Sequence, residues 1–394
     1  YGLSLATLLA VGPAPALSRP FSEVLDQCGV TDTFLRNWLD MICFLLQGAT
    51  TKEAPTTLMA YMLSDFYCDG VVLDFPKGGT KSIIDALLRG VRKNGELRLN
   101  APVAKVLMED GVASGVELAS GEIIRAPIVV SNADLWTTQK LLPEHPKLIN
   151  YFEKQAARVT RCDSFLHLHV GIDATGLPTT PSEALPAQWA ALDDWGRGVD
   201  APRNLVLVSM ASMLDSSLAP EGCHVVHAYV PATEPFEDWE RFVNEGGYQS
   251  SKYREAKDEA VEVLWRAIER YVPDVRQRVK VALPATPLTH RRFNRRDAGT
   301  YGPFLPATSV NSRAGRSLKV LTSLVKFAPR RRAWASRRLA SSTWEPTKDE
   351  ALVPSWKPTI TEETAIASSA HGTAEILDGL RNSGQLDVER GPRP

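Results

Sequence analysis

The sequence predicts an α/β fold built in more than one layer, and three observations carry that reading. Gly78 and Gly79 open a helix whose apolar residues Ile83, Ile84, Leu87, Leu88 and Val91 fall on one stripe. Short alternating runs, punctuated by "EDG" and "SG", predict a small antiparallel meander that ends in an apolar strand, Ile128 to Val130. Three further runs, "SFLHLHVGI", "NLVLVSMASM" and "CHVVHAYV", read as strands, and a long amphipathic helix follows them.

Each element has a local reason. Residues 20 to 70 carry helical periodicity, with Ser22 and Thr31 as caps. Within them "FLRNWLDMICFLLQG" is broken by Arg36, Asn37 and Asp40, so it reads as an amphipathic buried helix. No stretch is apolar for the ~18 residues that a spanning helix requires. In "YREAKDEAVEVLWRAIERYVP" the stripe runs through Tyr253, Ala256, Ala260, Val263, Leu264, Ala267, Ile268 and Tyr271, and Pro273 stops it. "VALPATPLTHRRFNRRDAGTYGP" reads as strand and loop. Beyond Pro303 the chain turns rich in Arg, Ser, Thr and Pro, which predicts loop or disorder over 304–394. The apolar opening "LSLATLLAVGPAPAL" lacks a basic lead-in and reads as an internal segment, not a leader.

Composition narrows the function classes. The 394 residues leave room for two or three domains. A net charge of -1 argues against a nucleic-acid partner. The five cysteines, Cys28, Cys43, Cys68, Cys162 and Cys223, show no C-x-x-C spacing and predict free thiols in a reducing compartment. On a strand His167 and His169 face the same way, opposite Leu166, Leu168 and Val170. No third ligand with suitable spacing is evident, so they are expected to be hydrogen-bonded sheet residues, with no metal. His290 and Arg291, Arg292, Arg295 and Arg296 fit either an active-site mouth or a solvated basic loop. No Ser-His-Asp order, carboxylate pair or phosphate loop stands out, so the catalytic residues stay unknown.

The Gly-Gly helix followed by "APVAKVLMEDGVASGVELASGEIIRAPIVVSNA" resembles a segment that recurs in FAD-dependent oxidoreductases, amine oxidases and phytoene desaturases among them. The blocks "LRNWLDMICFLLQG", "NAPVAKV", "VVSNADLWTTQKLLP", "CDSFLHLHVGID", "EVLWRAIERYVPDVRQRV" and "TPLTHRRFNRRDAGTYGP", in that order, resemble the carotenoid isomerases, the prolycopene isomerases related to bacterial-type phytoene desaturases. The likeness runs from about residue 20 to 303. It implies an amine-oxidase- and phytoene-desaturase-like flavoprotein fold. On it, 1–70 is a helical substrate-side segment, 71–150 a residual FAD-binding half, 151–303 a substrate domain and 304–394 a divergent tail.

The resemblance also implies residues and chemistry. Gly78 and Gly79 would belong to the flavin-side loop, Val103 would lie against the adenine, and Asn132 and Ala133 near the diphosphate. The reaction would be cis-to-trans isomerisation of a poly-cis carotene with reduced FAD and no net redox change. A hydrocarbon substrate implies peripheral association with a membrane, with "FLRNWLDMICFLL" as one rim helix, and a plastid or a bacterial membrane periphery as the location. The alternatives are a desaturase of the same fold and a non-catalytic fragment. Two departures bear on FAD. The family's opening strand, G-x-G-x-x-G turn and acidic ribose partner have no counterpart in the 394 residues. "GRGVDA" from Gly196 is rejected, because it lacks a strand before and a helix after. The family's closing Gly-Asp segment is not seen after "TYGP" either. The chain therefore resembles the middle of a family member, and its own hold on FAD is doubtful.

Overall fold

A computed structural model describes residues 18–66, 75–143 and 145–307, together with the backbone of 359–361. The apolar opening segment, Cys68 and most of the tail lie outside the described residues.

Three helices come first: α1 (Phe21–Gln27), α2 (Thr33–Gln47) and α3 (Thr56–Phe66). Pro20 precedes α1 and Asp32 caps α2 by accepting from the Leu35 amide, so the caps expected at Ser22 and Thr31 are each misplaced by one or two residues. Asp32 is the better cap, because an ionised carboxylate at a helix start also meets the positive end of the dipole. Phe21, Leu25, Leu39, Cys43 and Met59 form the core of this bundle. Helix α4 (Thr80–Asn94) follows, with no residue of its apolar stripe buried among the described residues.

The meander consists of β1 (Glu96–Arg98), β2 (Val103–Glu109), β3 (Val112–Leu118) and β4 (Ile123–Arg125), with β2, β3 and β4 hydrogen-bonded in that order. The strand expected at Ile128 to Val130 does not form. Pro127 lacks an amide for a ladder, no strand pairs there among the described residues, and Ile128 and Val130 are exposed. Helices α5 (Leu135–Leu141) and α6 (Pro146–Ala156) lead to β5 (Thr160–Arg161).

The largest sheet is antiparallel. It uses β6 (Ser164–Asp173), β7 (Gln188–Leu192), β8 (Leu205–Ser209), β9 (Cys223–Glu234) and, later in the chain, a strand at Val279–Ala285, in the order last strand, β6, β9, β8, β7. Strand β7 escapes the sequence reading because "PAQWAAL" has little alternation. It also stands before "GRGVDA", but turns and then β8 follow, so the nucleotide reading is rightly rejected there. On one face Leu166, Leu168, Val170, Val226, Ala228 and Val230 pack into the main core. That core is closed by α7 (Glu237–Asn244), α8 (Ser251–Ala260) and α9 (Glu262–Glu269). The single long helix expected at 253–271 is thus two, joined at Val261, yet its stripe holds: Tyr253, Ala260, Leu264, Ala267 and Ile268 are buried. Glu234, 1% exposed, receives both Arg203 and the Trp239 indole N–H, which satisfies a charge that burial would otherwise penalise.

A short α10 (Val275–Arg278) precedes the edge strand β10 (Val279–Ala285). The next segment, expected as loop, is helix α11 (Pro287–Asn294), opened by a Thr286–Thr289 capping box with Pro287 in the first turn. Strand β11 (Pro303–Phe304) pairs with β5. Within the tail, β12 (Thr359–Thr361) pairs in parallel with β1, so the expectation of a structureless tail fails at that strand. Its remainder, 308–358 and 362–394, lies outside the described residues.

Candidate functional site

Two cavities meet at Tyr301. The larger, about 610 Å³, lies between α2, α3, the 132–134 loop and the 296–305 segment. Its wall is largely apolar, with Leu46, Leu58, Met62, Val159 and Phe304, and its polar groups include Asn132, Gln47, Arg158 and Arg296. The smaller, about 320 Å³, opens on the sheet face opposite the main core, against Phe165, His167, His227, Tyr229 and His290. The Tyr301 hydroxyl donates to the Leu45 carbonyl at 3.1 Å, and its ring stands edge-on to Phe165 at 5.1 Å. The tyrosine is therefore fixed between the two spaces.

The loops that shape the larger cavity are tied together by Asp134. Its side chain caps α5 through the Thr137 amide and also accepts from the Asp297 amide at 3.0 Å. Asp297 in turn receives Lys140 and Arg161. Gly299 lies at φ +60, where a Cβ would stand 2.5 Å from the Pro287 carbonyl, so the turn beneath Tyr301 requires glycine. Gly48 ends α2 at φ +71 against the Cys162 sulfur. Burial pushes the Cys162 thiol up to about 11 and raises Cys43 further, so neither supplies a thiolate nucleophile at neutral pH.

The sequence-expected residues are partly brought together. Val103 starts β2, the edge strand of the meander, whose other side is unpaired among the described residues. Asn132 and Ala133 precede α5, which packs on β2, and Asn132 lines the larger cavity. Gly78 and Gly79 adopt φ of +80 and +68 as a glycine loop should, but they dock elsewhere. The Gly78 amide donates to the Asp215 carboxylate at 2.6 Å, and Leu218 covers Gly79. Arg296 reaches the Thr300 and Tyr301 carbonyls, whereas Arg291 and Arg292 stack over Phe236 and Tyr248. Of the basic group, then, Arg296 lines the larger cavity and His290 the smaller.

The histidines go further than the sequence allowed. His167 Nδ1 is 2.9 Å from His227 Nε2, and His167 Nε2 is 2.9 Å from His290 Nε2. His169 stacks on His227 at 4.2 Å. Burial holds all four imidazoles below their usual range, His169 and His290 at about 4, so they are neutral at pH 7. His227 is the residue sequence reasoning missed, and for His290, expected at a site mouth or on a basic loop, it missed the pairing with His167. His227 alternates with Val226 and Ala228, which places it on the polar side of its strand, but only the register shows that it faces His169.

The chain is 34% identical over 278 residues to a prolycopene isomerase of an Oncidium hybrid cultivar, covering 70% of this chain and 45% of that one. It is 30% identical over 276 residues to the Arabidopsis thaliana prolycopene isomerase, covering 70% and 44%. The chain is a relative of the prolycopene isomerases. A weaker match, 32% over 203 residues, joins this isomerase relative to the zeta-carotene-forming phytoene desaturase of Myxococcus xanthus, covering 49% and 37%. The chain spans less than half the length of these relatives, and no family model matches it. Among solved structures, the PF1083 protein from Pyrococcus furiosus overlaps 71% of the chain at 15% identity and a TM-score of 0.47. The described residues have the mixed helix-and-sheet make-up that the sequence predicts.

Proposed function

We propose that this chain forms part of an enzyme that isomerises poly-cis carotenes, prolycopene to all-trans-lycopene, with FAD in its reduced form. The observation that carries the reading is the 34% identity to a prolycopene isomerase over 278 residues, in a chain whose 610 Å³ cleft has a largely apolar wall. A polyene is recognised by apolar area and shape, and the Leu46, Leu58, Met62 and Phe304 wall offers both.

The residues present fit a flavin in part. The outer edge of β2 at Val103 has backbone groups free to read an adenine, and Asn132 lines the cleft beside Ala133, although the Asp134 carboxylate already caps the start of α5 and fits a diphosphate less well. The Gln47 carboxamide oxygen is buried in the cleft wall without a partner, and an N–H of a bound ligand would satisfy it, which a pure hydrocarbon does not. Gly78 and Gly79 fit a phosphate less well, because the Asp215 carboxylate takes the Gly78 amide. Their role in this reading is to shape the loop. When bound, the flavin supplies reversible electron donation to the polyene. The protein orients the chain of double bonds and excludes water, and no acid or base is required of it.

The substrate dissolves in bilayers, so the enzyme works at a membrane surface. Phe34, Leu35 and Trp38 on α2 and Tyr61 on α3 are exposed and form the apolar rim. The plant relatives are named chloroplastic, which supports a plastid location. The Myxococcus xanthus match keeps a desaturase as the second reading. The test offers prolycopene and phytoene in liposomes to the flavin-loaded protein that carries this chain. All-trans-lycopene from the first and no product from the second is expected. Desaturation of phytoene with prolycopene unchanged would decide for the second reading.

A further inference from the structure

The aromatic side of the large sheet gathers histidines that the cofactor reading leaves without a task. His167 and His169 are two residues apart on β6, and His227 lies directly across from His169 on β9. One ring nitrogen from each can be chosen so that all three lie within 4.8 Å of one another. The closest pair, His167 Nδ1 and His227 Nε2, is already at 2.9 Å. Metal–nitrogen bonds of ~2.0–2.1 Å in a tetrahedral site need the three nitrogens only about 3.4 Å apart. The outer torsion of a histidine ring is soft, so small ring rotations would bring the three nitrogens to that spacing.

A second observation points the same way. Among the described residues neither nitrogen of His169 has a hydrogen-bond partner, and Nδ1 of His227 has none. These nitrogens are not among the fully buried side-chain atoms, so their lone pairs are open to an ion. We propose that His167, His169 and His227 bind a divalent transition-metal ion of the zinc class.

The donor set selects the ion. Three neutral imidazoles without carboxylate or thiolate suit zinc, copper or nickel and do not suit calcium or magnesium, which want oxygen ligands. An outer partner is also in place. With Nδ1 of His167 on the ion, its Nε2–H donates to His290 Nε2, and His290 Nδ1 faces the Asn294 amide at 3.2 Å. The adjoining cavity of about 320 Å³ leaves room for a water or small anion in the fourth position.

The test uses the full 394-residue chain, stripped with chelator, loaded with Zn²⁺ or Co²⁺ and passed through gel filtration. One ion per chain is expected by elemental analysis, with a visible Co²⁺ spectrum typical of a four-coordinate nitrogen site and a higher melting temperature. His169→Gln and His227→Gln should each weaken retention at least tenfold, while His145→Asn, at the start of α6, should not. Wild-type chain that neither retains an ion nor gains thermal stability with it would overturn the proposal, whatever the variants do. Equal retention by His169→Gln, His227→Gln and wild type would place the ion elsewhere and would overturn it too.

Discussion

Gly299→Ala should cost far more than an ordinary glycine substitution, and the structure says how much. The turn from Asp297 to Thr300 carries Tyr301 into position between the two cavities, and Gly299 holds φ +60 there. Alanine in the left-handed region costs about 1–2 kcal/mol. Ala298 next to it already sits at φ 49, so the conformation itself is tolerated. The larger effect is contact. The new Cβ would stand 2.5 Å from the Pro287 carbonyl, 3.1 Å from Ser164 Oγ and 3.3 Å from His290 Cβ. The first is backbone at the start of α11, so a helix end or the whole turn must shift by nearly an ångström. Overpacking of this kind costs about 1–3 kcal/mol. The shift also endangers the buried Ser164 hydroxyl bond to the Gly299 carbonyl, 2.6 Å long, worth about another 1 kcal/mol. The total is about 3–6 kcal/mol. Gly222→Ala is the matched control: its φ is +72, and nothing lies within 4 Å of the added Cβ. Urea unfolding of both variants against wild type separates strain from collision. Gly299→Ala should lose roughly 2–4 kcal/mol more than Gly222→Ala. Equal losses would show that the turn does not pack on α11 as described.

Three further outcomes are expected. His290 is buried and neutral, lowered to about 4 by desolvation, Arg296 and His169, against 6.5 when unfolded. The unfolded chain therefore binds protons that the folded chain refuses, so stability present above pH 6.5 is lost as pH falls toward 4, by about 3 kcal/mol for this group. Urea midpoints measured with chelator should drop across that window and flatten in His290→Gln; a flat wild-type profile from pH 7 to 4.5 would contradict the buried cluster. Trp38→Asp should reduce sedimentation with phospholipid vesicles roughly tenfold, since burying one such side chain gives at least about 1.5 kcal/mol, with circular dichroism unchanged; undiminished binding would move the membrane contact off α2. Residues 1–394 alone should fail to hold FAD at micromolar concentration, because their sequence contains no glycine-rich turn to donate to the diphosphate and each such charge-assisted bond is worth ~1.5–3 kcal/mol. Stoichiometric flavin after gel filtration would refute that.

What the sequence disclosed was what is local. The alternation of β6 and β9 shows in Leu166, Leu168 and Val170 against His167 and His169, and the apolar stripe ending at Ile268 shows in its spacing. Boundaries slipped where two adjacent residues compete, as at Thr31 and Asp32, where the stronger acceptor became the cap. Helix α11 was hidden by its arginines, and the Thr286 cap that starts it was overlooked. The failure at Ile128 to Val130 is of another kind: strand propensity without a partner among the described residues leaves apolar side chains exposed. The convergence of His167, His227 and His290 could not be read at all, since separations of 60 and 123 residues are closed only by sheet register and by the docking of α11. The Asp215 contact with Gly78, 137 residues away, was equally invisible.

The central claim, a carotene isomerisation without net redox change, is tested most directly by following the flavin and the product together. The flavin-loaded protein containing this chain is reduced anaerobically and given excess prolycopene. The account predicts many turnovers to all-trans-lycopene of unchanged mass while the flavin spectrum stays reduced. Product that has lost hydrogen, or one flavin oxidised or reduced for each carotene converted, would contradict it.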